Sequence, residues 1–162
     1  MHHLNRGGRI WQEYMKGTET RIVLPCPHCG EYVSPEREHL TGWQDASDVV
    51  DAADLAAFGC PACQVVWSAQ DRVDANLAAK VAHRGQIVNP GGEISGESPK
   101  TDTLGFRWSA INNMFTECGE MGAGEWRASR ALDEENADRE QCQFVWAIPA
   151  KPTSLAMTSI TV

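Results

Sequence analysis

Apolar positions along this chain come in short blocks, and their spacing predicts small elements rather than long ones. Ile10, Trp11 and Tyr14 recur at helical spacing, which predicts a short amphipathic turn near the N-terminus. Arg21 to Pro25 is β-branched and apolar and reads as a strand. Tyr32 and Val33 make a short extended piece, Ser34-Pro35-Glu36 a polar turn, and Leu40 and Trp43 a returning strand. Val49, Val50, Ala53, Ala56 and Ala57 offer an apolar face for a helix over 48–58. Ser47 would cap its start and Gly59 its end; an extended approach to residue 60 is the alternative. Gln64 to Trp67 reads as a strand. Ser68 with Asp71 forms a capping box that opens a helix carrying Val73, Leu77 and Val81, running to about Arg84 and stopping at Gly85.

The second half is patterned more thinly. Residues 89–102 are rich in Gly, Pro and Ser and predict a loop. Thr103 to Trp108 reads as a strand, Ser109 to Phe115 as a short helix, and Glu125 to Asn136 as a longer one. The run Asp133, Glu134, Glu135, Asp138, Glu140 is the solvated face of that region, because it shows no inward-facing spacing. Gln143 to Ile148 is apolar and is stopped by Pro149 and Pro152. The pattern divides the chain into a connecting segment (1–20), a cysteine-bearing region (21–88), a loop (89–102), a strand-plus-helix region (103–152) and a ragged tail (153–162). The fold class is α+β: a small β element with inserted and flanking helices, then a helix-rich C-terminal half.

Chemistry enters with the cysteines. Cys26-Pro27-His28-Cys29-Gly30 and Cys60-Pro61-Ala62-Cys63 are two matched Cys-x-x-Cys turns. Each turn points two sulfurs at one spot, and two such turns facing each other supply four thiolates in a tetrahedron, the arrangement of a structural Zn2+ site. Proline fixes φ in each turn, and Gly30 is free to take the positive φ that follows such a turn. The intervening stretch 30–59 is longer than the about 15–20 residues of a compact zinc ribbon. Loop closure costs only about 0.6 kcal/mol per doubling of length, so the spacing is compatible with the site. Disulfides and a thioredoxin-type redox pair are the competing readings. Nothing marks the chain as secreted, and a redox pair needs one Cys-x-x-Cys, not two matched copies. His28 reads as a surface residue, while His39 and His83 are substitute ligands only if a cysteine is misassigned. Cys118 and Cys142 lie outside the constellation, have no neighbouring histidine, and read as small buried residues.

Composition narrows the rest. A chain of 162 residues with 42% hydrophobic residues and six tryptophans can build one domain, or one small domain with an appendage. The net charge of -8 means that any nucleic-acid contact must be a local basic patch. Arg9, Lys16, Arg21 and Arg37 are the candidates. No run approaches the ~18 apolar residues of a membrane span, and the N-terminus lacks a basic-then-apolar signal. Gly91 and Gly96 have phosphate-loop spacing, but Glu97 stands where that motif needs lysine, so nucleotide binding at this loop is excluded. No nucleophile elbow, His-Glu-x-x-His or defensible carboxylate pair is present.

The order of these segments resembles the middle of the large terminase subunit of tailed phages, in the lambda-type DNA-packaging family. The resemblance spans roughly residues 9–152 and rests on Cys26 to Tyr32, Cys60 to Cys63, Gly105-Phe106-Arg107 and Phe144 to Pro149. In that family the ATP-binding motifs lie upstream of this region and the nuclease carboxylates downstream, so only the four cysteines carry over. The resemblance implies a terminase fragment: a zinc-bearing connector of the viral packaging motor that is not catalytic alone. It further implies double-stranded DNA, the small terminase subunit and the portal as partners, the bacterial cytoplasm as location, no membrane, and an open question of oligomers. The rival reading is a free-standing zinc ribbon that binds nucleic acid or protein, favoured by a basic face. A third is an enzyme whose cysteines hold a catalytic metal with an open coordination position.

Overall fold

The computed structural model describes residues 8–149. The expectations for residues 1–7 and for the tail 153–162 lie outside the described residues. The architecture is α+β, built from short strands and helices.

Helix α1 (Arg9–Lys16) forms where the Ile10/Trp11/Tyr14 spacing places it, with Trp11 and Tyr14 rings 5.1 Å apart. Strand β1 (Arg21–Pro25) is the centre of a three-stranded antiparallel sheet, between β2 (Tyr32–Val33) and β5 (Lys80–Ala82). Its register pairs Leu24 with Val33 and Ile22 with Val81. Strand β3 (Leu40–Thr41) does not return onto this sheet. It pairs with β4 (Ala57–Phe58) in a separate ribbon, so the second strand expected at 40–43 belongs to the other half of the cysteine region.

Several boundaries differ from the sequence reading. Helix α2 is Val49–Leu55, and its cap is Asp48, whose carboxylate accepts from the N–H groups of Val50 and Asp51. Ser47 instead bonds Asp51. Gly59 does not close this helix; it follows β4 and bonds His39 O at 2.8 Å. The capping box at Ser68 and Asp71 forms as expected, but α3 (Ala69–Leu77) ends early. The residues after it turn into β5, because pairing with β1 satisfies their backbone where a further helical turn would not. Gln64 to Trp67 contributes only a single bridge, Gly59 to Val66. Residues 89–102 are not wholly a loop: β6 (Ile87–Val88) and β7 (Ile94–Ser95) make a small hairpin.

The C-terminal half packs on the cysteine region. Residues 103–107 run parallel to 18–20: Thr20 bridges Phe106, and Thr20 N–H donates to Gly105 O at 2.8 Å. A short 3-10 turn, Ala110–Asn112, stands where a helix is expected. The helix expected at 125–136 is instead two, α4 (Cys118–Ala128) and α5 (Glu134–Glu140), and residues 141–145 add one wide turn. Asp133 caps α5 through Asn136 N–H, which is why the acidic run begins a helix there rather than continuing one. The run is exposed as expected, and within it Asp138, still solvent-facing, also meets Arg37 at 2.7 Å.

The core joins both halves. Leu24, Leu40, Phe58 and Trp146 are fully buried, and the Trp146 ring meets Phe58 edge-on at 6.0 Å. Glycine lets α4 approach α2: a Cβ on Gly122 would lie 2.2 Å from that of Ala56. Of the three tryptophans in this half, Trp146 is buried, Trp126 is half-buried with its indole on Ala46 O, and Trp108 is exposed.

Candidate metal centre

Two turns of nearly identical backbone build the centre. In the first, Cys26 N–H bonds Glu31 O and Gly30 N–H returns to Cys26 O at 2.9 Å. In the second, Cys60 N–H bonds Val65 O and Gln64 N–H returns to Cys60 O at 2.8 Å. The residue after the second cysteine takes positive φ in both, Gly30 at 77° and Gln64 at 63°. Glycine makes the first legible in the sequence. The second is hidden, because glutamine pays a Cβ penalty there and gives no signal.

The turns face each other. Cys26 Sγ lies 3.9 Å from Cys63 Sγ, Cys29 Sγ 3.9 Å from Cys60 Sγ, and all four sulfurs fall within 4.8 Å of one another. Sulfurs at about 2.3 Å around a tetrahedral ion are about 3.8 Å apart, so the spacing fits a shared metal ion. The described cysteines are unpaired thiols, and disulfides at this site are not formed. Cys26 and Cys60 are buried, Cys63 is half-buried and Cys29 is exposed. No other grouping of metal-ligating side chains occurs among the described residues.

The surroundings favour sulfur anions unequally. Burial pushes the Cys26 thiol up, but the N–H groups of Cys29 and His28 and the Trp67 indole more than offset it, bringing it to about 6. The Trp67 Nε1–H donates to Cys26 Sγ at 3.4 Å from a buried ring. Burial and the apposed thiols of Cys26 and Cys63 push Cys60 the other way, to about 12. Four such groups at one point cannot all ionise unless a cation neutralises them. The cluster is therefore able to hold a metal ion, and it has the charge reason to want one.

The histidines stay outside. His28 is a surface residue whose Nε2 meets Asp71 Oδ2 at 3.2 Å. His39 Nδ1 accepts Glu36 N–H, and His83 Nδ1 meets the buried Thr20 hydroxyl at 2.8 Å. Cys118 and Cys142 are each half-buried rather than buried. Cys142 Sγ sits 3.0 Å from Arg37 Nη1, though burial still raises its thiol. Trp67 is the neighbour of the cluster that the sequence does not signal: its pattern reads as strand, and nothing in its local spacing points at Cys26.

Of the four candidates for a basic patch, Arg9, Lys16, Arg21 and Arg37, two are held in ion pairs. Arg37 is consumed by Glu125 and Asp138, and Lys16 by Glu13. No helix among the described residues is long and apolar enough to cross a membrane.

Residues 3–81 match the family model described as phage terminase large subunit gpA, ATPase domain. The match contains all four cysteines of the cluster and supports the terminase family for this stretch. No curated protein and no solved structure matches the chain.

Proposed function

We propose that this chain, similar over residues 3–81 to the gpA terminase family, is a zinc-bearing connector of a viral DNA-packaging motor. The observation that carries the reading is the four-sulfur cluster lying wholly inside the matched stretch. Tetrahedral sulfur sites take zinc or iron, and zinc, having no redox role, is the ion for a purely structural site. Cys26, Cys29, Cys60 and Cys63 would hold it, closing the coordination sphere and leaving no open position for an activated water. When bound, the ion supplies charge neutralisation and a cross-link between residues 26–29 and 60–63. The chain's own contribution is positioning: the N–H groups of the two turns and the Trp67 indole hold the sulfurs where they meet.

In this reading the chain works in the host cytoplasm, with DNA, the small terminase subunit and the portal as its surroundings. It transmits force or position between motor parts and does no chemistry of its own. Metal content by mass spectrometry on protein purified without added metal, with a thermal melt in the presence and absence of chelator, tests it. One zinc per chain and a melt lost on chelation are expected. Iron in place of zinc, or no metal with an unchanged melt, overturns the structural-zinc reading.

A further inference from the structure

The three-stranded sheet has a second face that the metal centre does not use. Side chains alternate across a strand, and the register sets Arg21 opposite Ala82 and Val23 opposite Lys80. Arg21, Val23, Lys80 and Ala82 therefore share one face. Tyr32, paired with Pro25, falls on the same side, whereas Leu24 and Val33 point into the core. Arg21, Val23, Tyr32 and Ala82 line a cleft of about 310 Å³ that hairpin residues Ile87 and Val88, with Ser34 and Gln86, complete; Lys80 is outside this lining, at the rim beside Gly92. Gly92 leaves room at its edge: a Cβ there would meet Tyr32 Oη at 3.1 Å and Lys80 Cε at 3.6 Å.

Charge selects the ligand. The chain is at -8, yet no carboxylate lines this cleft. Lys16, Arg37, Arg84 and Arg107 each end on a carboxylate, but Arg21 and Lys80 make no ion pair among the described residues. Glu36, the acid that shares a neighbouring hollow with Arg21, is committed to Arg107 by two bonds of 2.7 Å. The Tyr32 hydroxyl has no hydrogen-bond partner among the described residues. Arg21 in the cleft, Lys80 at its rim and the Tyr32 ring, over an apolar floor of Val23, Ala82 and Val88, make an anion-binding groove with a stacking surface.

We propose that this cleft binds a single strand of nucleic acid, Arg21 and Lys80 holding its phosphates and Tyr32 stacking on a base. The proposal rests on the reading that the chain works on DNA, and narrows it to one surface and one strand. A volume near the lower end of the about 300–1,000 Å³ of small-ligand pockets admits a nucleotide unit but not a duplex.

The test is fluorescence anisotropy of the full, metal-loaded chain with a labelled oligothymidine over a salt series. A duplex of equal length and a polyglutamate peptide are the comparison ligands. The single strand is expected to bind best. The double variant Arg21→Gln/Lys80→Gln should weaken it about tenfold and reduce the salt slope by about 1.4, at about 0.7 per single-strand phosphate lost. Tyr32→Leu should weaken binding several-fold and leave the slope alone. Arg130→Gln, which removes a cation stacked on Trp126, should change neither. Unchanged metal content and melting in the variants would show that the fold is kept. A double variant that binds like the parent, or equal binding of polyglutamate, overturns the proposal. Binding of duplex alone overturns it while leaving the DNA reading standing; binding of neither nucleic acid overturns both.

Discussion

At the scale of single residues, the molecule depends on a few groups whose removal leaves others stranded. Cys29 is the exposed member of the four-sulfur cluster and Cys63 a half-buried one. Structural zinc sites contribute on the order of 10 kcal/mol of folding free energy, so losing one thiolate should unfold the region rather than weaken it slightly. Cys29→Ser and Cys63→Ser are both expected to lose bound metal and the cooperative melt; a retained melt would rule out a metal-dependent fold. Glu125 is the second such group. It is 1% exposed, receives Arg37 through Nε and Nη2, and accepts the Trp146 indole. Replacing it by alanine leaves the buried Trp146 indole N–H unpaired and Arg37 with Asp138 as its remaining carboxylate, at a cost of about 1–3 kcal/mol. Breaking the exposed Lys16–Glu13 pair by Lys16→Ala should cost under about 1 kcal/mol. Urea unfolding of the two variants compares them, and equal losses would mean Glu125 is not a buried anchor.

At the scale of elements, close backbone approach decides what sequence propensity does not. Glycine is unfavourable in a helix by about 1 kcal/mol against alanine, yet α4 carries Gly119, Gly122 and Gly124. Two of them face α2: an added Cβ would lie 2.7 Å from Ala53 O at Gly119 and 2.2 Å from Ala56 Cβ at Gly122. Gly124 meets only the Gln141 side-chain amide, at 3.4 Å. Gly122→Ala should therefore destabilise by about 1–3 kcal/mol through overpacking despite the better propensity. Gly124→Ala should be neutral or stabilising by up to about 1 kcal/mol. Thermal melts of the pair check this, and a stabilised Gly122→Ala would mean the helices do not cross where described. The same glycines explain why the helix at 118–128 escaped the sequence reading. Three glycines among its first seven residues lower its helix propensity, and contact with α2 offsets this.

At the scale of the whole molecule, the C-terminal half is fastened to the cysteine region by polar staples as well as by core. The buried Arg72 on α3 donates to the carbonyls of Ala110, Ile111, Asn113 and Thr116 at 2.7–3.0 Å, so it holds an irregular segment in place. Arg107 grips Glu36 and the carbonyls of Trp146 and Ala147. With Arg37–Glu125 and the Phe58–Trp146 contact, these links cross between the two halves. The chain should unfold as one unit. Chelator is expected to produce a single transition in which far-ultraviolet circular dichroism and tryptophan fluorescence coincide. Two separated transitions would mean that the second half has its own stability.

Short-range physics made part of this protein legible in its sequence. The Cys-x-x-Cys turns, Gly30, the strand at 21–25, the Ser68–Asp71 cap and the α+β class all follow from residues within a few positions of one another. The four cysteines could be grouped from sequence because each pair is local and the two pairs are alike. What the tertiary structure decided is long-range. It chose β5 over a longer α3, since β1 offered a partner strand. It sent Arg37 to Glu125 instead of to a basic face, because a buried carboxylate needs a counter-charge. It brought Trp67 to Cys26, and it left Arg21 and Lys80 without an ion pair among the described residues, on one side of a sheet whose register no local pattern reveals. Local spacing reports which side chains a turn can gather; only packing fixes which distant charges are paired and which remain available.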